Sequence, residues 1–170
     1  MSNLQEQTQL GRPRTAAAPY KQALLGFSGG FCAIGLLGLL GHLSGAPLLI
    51  APFGASSVLL FAAPESPFAL PRNLVLGHLI ATLVGLCVFM LAGSGLWQMA
   101  LSVGLAIGLM QITRSVHPPA GADPLVIMLS GTATPMFLLF PVLIGVLLLL
   151  AIALAFNNFF HDRRWPARWR

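Results

Sequence analysis

In the run Arg114-Ser-Val-His117-Pro118-Pro119-Ala-Gly121-Ala-Asp123-Pro124, an imidazole, a carboxyl and a guanidinium gather around paired prolines. His117 lies three residues after Arg114 and six before Asp123, so the three can share one polar cluster able to exchange protons, pair charge or hold a small anion. Pro118 and Pro119 remove two N–H donors and disfavour helix at the residue before them. Gly121 permits a turn or a close backbone approach. Asp123 followed by Pro124 reads as a helix start, with Asp at the cap and Pro at the first helical position. A helix beginning there presents unpaired N–H groups and a partial positive charge, which attract a small anion without a permanent cation.

A second stretch resembles the first. Pro52-Phe-Gly54-Ala55-Ser56-Ser57-Val-Leu-Leu matches Pro119-Ala-Gly121-Ala122-Asp123-Pro124-Leu-Val-Ile at an offset of 67, which pairs Ser56 with Asp123. The candidate substrate-binding set is therefore Gly54, Ser56, Ser57, Arg114, His117, Gly121 and Asp123. An ionised Asp123 repels an anion. Either the Ser56, Ser57 half-helix receives the substrate, or Asp123 is protonated or paired with Arg114. Each residue also has a plain structural reading: Ser56 and Asp123 as helix caps, His117 as a bridge to backbone freed by the prolines, Arg114 as a topology marker. One His and one Asp do not make a metal ligand set, and no cofactor or metal is expected. His78, inside an apolar segment, is a pathway candidate with no expected partner.

The elements that must position these residues are set by the medium. The chain is 56% hydrophobic and 8% charged, with mean hydropathy +0.85, against roughly 25% charged residues in ordinary soluble domains. Between Gln22 and Phe160 the charged residues are Glu65, Arg72, Arg114 and Asp123. This composition predicts an all-α, polytopic transmembrane bundle, because in lipid the backbone must satisfy its own hydrogen bonds. Four stretches, 23–43, 73–91, 96–112 and 136–156, are long enough to span. Two shorter apolar pieces, 48–63 and 118–129, are broken by Pro and Gly near their beginnings. The domain is read as 22–160, between polar basic tails 1–21 and 161–170, with an internal two-fold repeat of 22–93 and 96–158. Irregular backbone and ionisable groups at membrane depth must be buried in protein or line a wet cavity, which makes the broken pieces the functional-site hypothesis.

The net charge of +5 comes from the tails. It is a topology signal rather than a nucleic-acid signal, and it places both termini in the cytoplasm with an even number of crossings. Four crossings put Glu65, Arg72, Arg114 and Asp123 on the outer side; six make the Arg72 and Arg114 loops cytoplasmic, which fits the charge rule better and makes the halves an inverted repeat. No cleavable leader is expected in residues 1–20. The glycine pairs Gly26/Gly30 and Gly104/Gly108, and the series Gly35, Gly38, Gly41, suggest close helix packing. Cys32 and Cys87 are expected as packed apolar residues, and Trp165 and Trp169 as interface anchors.

The His117-Pro118-Pro119 motif with Ala120-Gly121-Ala122-Asp123-Pro124, preceded by Ala51-Pro52-Phe53-Gly54-Ala55-Ser56-Ser57, resembles the HPP family of integral membrane proteins over about residues 21–160. That resemblance implies a four-spanning protein, and some plastid and cyanobacterial relatives are regarded as nitrite transporters. The expected function is transport of a small inorganic anion, nitrite first, across a bacterial inner membrane, by a small bundle that forms homo-oligomers and is not an enzyme. A noncatalytic scaffold or sensor subunit is the alternative. An intramembrane enzyme is a further one, which a close approach of Ser56 to His117 would revive.

Overall fold

The computed structural model describes residues 19–131, 134–160 and 164–166, and these form helices and connections without a strand. Six α-helices follow in order: α1 Pro19–Ser44, α2 Ala51–Ala62, α3 Pro71–Ala92, α4 Leu96–Ile112, α5 Asp123–Ser130 and α6 Ile144–Phe160. Short 3-10 turns at Pro67–Ala69 and Pro118–Ala122 precede α3 and α5, and a π-type turn at Leu138–Leu143 leads into α6. Three stretches, Pro19–Ser44, Pro71–Ala92 and Leu138–Phe160, are long and apolar enough to cross a membrane. The fourth expected span, α4, is present with 17 residues, about 25 Å at the helical rise. The last expected span is not continuous. Phe140, which precedes Pro141, takes φ −125° and ψ 120°, as the clash of a proline ring with a preceding helical residue dictates.

Proline sets the helix starts. Pro52, Pro71 and Pro124 each stand in a first turn, where no N–H is needed. Extended Ile50 and Leu70 lead into α2 and α3. At the other ends, Gly93 (φ 74°) stops α3 and Gly131 (φ 66°) stops α5 in backbone that favours glycine.

Five helix ends meet at one end of the bundle, here termed the tail end. Gly26 of α1 faces Ala62 at the end of α2. Asn157 near the end of α6 donates to the Leu60 carbonyl at 3.0 Å, and the Trp165 indole donates to the Pro64 carbonyl at 3.0 Å. At the start of α3, the Arg72 guanidinium donates to the carbonyls of Thr113 and Arg114, just past α4. The connections holding Glu65, Arg72 and Arg114 therefore share one end with the start of α1 and the finish of α6.

Helix contacts follow a regular scheme. α2 packs on α1 and α6, α5 packs on α4 and α3, α1 touches α6, α4 touches α3, and α3 touches α6. One apolar cluster holds Leu37, Phe53, Phe61, Leu74, Val146 and Leu149; a smaller one holds Ala81, Ala106, Met110 and Ala120. Several sequence expectations change here. Gly38 and Gly41 of the expected set closely meet the chain at residues 46–49, but Gly30, Gly35, Gly104 and Gly108 have open space where a Cβ would be, whereas Gly29, Gly77, Gly85 and Gly145 are in tight contact; spacing alone does not say which helix face meets a neighbour. Cys32 and Cys87 are exposed on the bundle's outer surface rather than packed. Trp165 is buried, held by its indole bond and by the amide of Asn158 on its backbone. Trp169 lies outside the described residues.

Candidate functional site

Helix α3 is the wall on which the site is assembled. Gly77, Ala81 and Gly85 fall four residues apart on one face, and all are buried. A Cβ on Gly77 would stand 2.7 Å from the His117 Cβ, and one on Gly85 would stand 2.8 Å from the Pro124 Cα. These two glycines let the His-Pro-Pro segment and the start of α5 lie directly on α3. Between them α3 presents His78 and Thr82, one helical turn apart, toward the incoming segment.

The prolines leave carbonyls that cannot be served by their usual N–H partners, and α3 and α6 supply the donors. Pro64 has no N–H for the Leu60 carbonyl, which Asn157 serves. Val116 precedes the two prolines, and its carbonyl accepts from the Asn73 amide at 3.1 Å, which also donates to Pro67 at 3.0 Å. Asn73 thus shares with His117 the structural role that was one reading of the histidine, since His117 itself bonds the Phe68 carbonyl between Pro67 and Pro71 with one ring nitrogen. Its other ring nitrogen is left for the centre of the bundle.

There, four buried side chains form one continuous hydrogen-bonded chain, with Thr82 as a branch at one end. Asp123 Oδ2 lies 2.7 Å from His78 Nδ1 and accepts from the Thr82 hydroxyl at 3.3 Å. His78 Nε2 is 2.9 Å from Ser56 Oγ, and Ser56 Oγ is 2.9 Å from His117 Nε2. His117 Nδ1 donates to the Phe68 carbonyl at 2.8 Å. Ser56, His78, Thr82, His117 and Asp123 each have zero exposed surface. The ring of Phe53 meets His78 edge-on with centroids 5.4 Å apart, and the two imidazoles are 5.1 Å apart. Asp123 Oδ1 is buried with no hydrogen-bond partner.

Of the sequence candidates, the structure brings together Ser56, His117 and Asp123. Ser56 is not a helix cap: it lies in the middle of α2, whose cap position is Ile50. Asp123 does not cap α5 with its side chain either, because both contacts of its carboxyl go to α3. Arg114 is exposed at the tail end with φ 54°, and the partner of Asp123 is His78. Ser57 turns its hydroxyl to the Phe53 carbonyl of its own helix at 2.9 Å. Gly54 and Ser57 instead line a groove of about 390 Å³ between α1 and α2, with Gly26, Gly30 and Ala62. Gly121 has open space around its Cβ position and needs no glycine-only conformation. The residues that sequence reasoning underweighted are His78 and Thr82. Their signal was the four-residue spacing on an otherwise apolar helix, beside Gly77.

The chain matches the family described as HPP, transmembrane region, over residues 15–166. It is 39% identical over 129 residues to one transmembrane protein of Dictyostelium discoideum, covering 72% of this chain and 45% of the relative. It is 41% identical over 128 residues to a second transmembrane protein of that organism, covering 71% of this chain and 41% of the relative. The chain thus spans less than half the length of these curated relatives. No solved structure matches it. With His117 of the His-Pro-Pro tripeptide in its buried cluster and the match running through all six helices, this membrane protein belongs to the HPP transmembrane family.

Proposed function

We propose that the chain is a carrier for a small inorganic anion, nitrite first, whose site forms where the two broken segments meet at α3. The observation that carries this reading is that Ser56 from one segment and His117 and Asp123 from the other join one buried polar chain. Polar groups are expensive at membrane depth and are retained there mainly for pathways. Pairing of Asp123 with His78 leaves the cluster without net charge in both of its forms, ion pair or neutral pair, so an anion entering it meets donors rather than an unbalanced carboxylate. All four side chains are fully buried, so this is a closed arrangement and transport requires the segments to part.

An inverted repeat with six crossings fits this reading. Exchanging α1 with α4, α2 with α5 and α3 with α6 leaves the scheme of helix contacts unchanged. The detail is finer still. A Cβ on Gly77 would meet the Ser115 carbonyl at 3.3 Å, and one on Gly145, its repeat partner at an offset of 68, would meet the Leu48 carbonyl at 3.3 Å. Leu48 and Ser115 are themselves 67 apart. The start of α1 with Lys21, the finish of α6 and the Arg72 and Arg114 connections share one end, which the positive-inside rule assigns to the cytoplasmic face of the inner membrane.

The test is uptake into proteoliposomes of nitrite, nitrate, formate and chloride, comparing the native chain with His117→Ala and Asp123→Asn. Flux of at least one anion, lost in both variants, is expected; folded protein that moves none of them refutes the reading. A second reading, an intramembrane hydrolase, is favoured by the 2.9 Å approach of Ser56 to both histidines and by Asp123 behind His78. Against it, Ser56 lies inside α2, where its backbone N–H is used by the helix and is not free to stabilise an oxyanion. Labelling of Ser56 by a fluorophosphonate would establish that second reading.

A further inference from the structure

We infer that Asp123, His78, Ser56 and His117 form a proton wire through the middle of the carrier, with the Ser56 hydroxyl as its reversible link. The inference rests on the transport reading and specifies how protons enter it.

Hydrogen-bond accounting gives two arrangements in which Ser56 accepts from one ring and donates to the other. The Phe68 carbonyl only accepts, so His117 Nδ1 carries a hydrogen. Ser56 has one hydroxyl hydrogen for two ring nitrogens, so at least one of the facing Nε2 atoms is itself protonated. In the first arrangement, His78 Nε2–H donates to Ser56, Ser56 donates to His117 Nε2, and His78 Nδ1–H donates to the Asp123 carboxylate across the 2.7 Å contact, so that His78 is the cation of an ion pair. In the second, every donor between the rings is reversed: His117 Nε2–H donates to Ser56, Ser56 donates to His78 Nε2, and His78 Nδ1–H donates to the carboxylate.

Both arrangements hold the same number of protons. To pass between them, the N–H bond of His78 Nε2 and the O–H bond of Ser56 break, while a new O–H forms on Ser56 and a new N–H on His117 Nε2. No co-reactant is consumed. The net result is a positive charge moved from His78 to His117, away from the carboxylate and toward the Phe68 carbonyl, which lies in the tail-end connection. At the opposite end, Asp123 Oδ1 is fully buried and without a partner. It is the free acceptor at which a proton arrives or leaves.

The link is also a gate. His78 belongs to α3, while His117 and Asp123 are held against α3 by the close approach at Gly77 and Gly85. Of the four, Ser56 alone comes from α2. A movement of α2 away from α3 withdraws the hydroxyl and interrupts the wire, tying proton transfer to the opening of the site. Within α4 and α6, which pack on α3, there is no titratable side chain to substitute for it. Arg72 and Arg114 stay at the tail end.

The test uses full-length protein in liposomes with an internal pH dye, under an imposed potential and nitrite gradient, for the native chain, Ser56→Ala, Ser56→Thr and Ser102→Ala. Proton movement is expected to fall about a hundredfold in Ser56→Ala, the scale on which one positioned proton donor or acceptor acts. It should persist in Ser56→Thr and in Ser102→Ala, whose hydroxyl bonds only within α4. Unchanged proton movement in Ser56→Ala overturns the wire. In parallel, 15N spectra of histidine-labelled protein read the wire without any substrate: the Nε2 signals of His78 and His117 should show complementary protonation in the native chain and lose that linkage in Ser56→Ala. Identical Nε2 signals in the two proteins overturn the wire, whereas linked histidines in a protein that moves no anion leave the wire standing and remove the transport reading.

Discussion

Replacing Gly77 by alanine isolates the close approach that builds the site. Two effects oppose each other. Alanine is favoured over glycine inside a helix by about 0.8–1.0 kcal/mol. Against this, the new Cβ would stand 2.7 Å from the His117 Cβ and 3.3 Å from the Ser115 carbonyl. Neither neighbour is a loose end: His117 is held by hydrogen bonds at both ring nitrogens, and Ser115 by its N–H on the Met110 carbonyl at 2.8 Å. Carbon atoms pack at about 3.5–4.0 Å, so α3 and the His-Pro-Pro segment must part by roughly 1 Å. Overpacking of this kind costs about 1–3 kcal/mol, and the parting stretches the bond from Asn73 of α3 to the Val116 carbonyl, worth about another 0.5–1.5 kcal/mol. The packing loss wins, with a net destabilisation of about 1–3 kcal/mol. Thermal unfolding in detergent, followed by tryptophan fluorescence, should show a melting point lowered by roughly 2–10 °C for a chain of this size. Gly104→Ala is the matched control, because its Cβ position is open and the helix preference alone should hold or raise the melting point. If Gly77→Ala melts at or above the native protein, the close approach is not a constraint and the reasoning fails.

Three further outcomes are expected. Asp123→Ala leaves His78 without its buried partner and should cost about 3–5 kcal/mol, while the paired change Asp123→Ala with His78→Leu should recover part of it; a thermal-melt double-mutant cycle without coupling would refute the pair. Asn157→Leu removes the donor to the Leu60 carbonyl that Pro64 cannot serve, and should cost about 1–3 kcal/mol in the same melt, unless that carbonyl finds another donor. With Cys32 and Cys87 replaced by alanine, single cysteines at Glu65 and Arg114 should react with an impermeant maleimide from one face of the membrane and a cysteine at Ser94 from the other. Labelling of all three from one face would exclude the proposed crossing pattern.

The sequence by itself determined most of the helices. Apolar length specified α1, α3 and α4 to within a few residues, and Asp123-Pro124 marked the start of α5 because a helix begins without needing that N–H group, whereas the starts at Pro52 and Pro71 and the break at Phe140 were seen only in the structure. The repeat offset also pointed to Ser56 and Asp123 as related positions, and both entered the site. Their roles could not be read in the same way. A serine or aspartate near a proline in one dimension looks like a cap, since capping is a local hydrogen bond. Only the tertiary structure put His78 between them, because its partners lie 22 and 45 residues away and reach it across helix faces that spacing does not identify. The same is true of the glycines: Gly104 and Gly108 have the packing spacing and open surroundings, while Gly77 and Gly85 have the neighbours. Arg114, a site candidate by proximity in sequence, is carried to the tail end because the chain turns away from α4 immediately after it. Composition thus decided that the chain folds in lipid, and local sterics decided where its helices break. Which polar groups complete one another was decided by how closely α2 and the His-Pro-Pro segment approach α3.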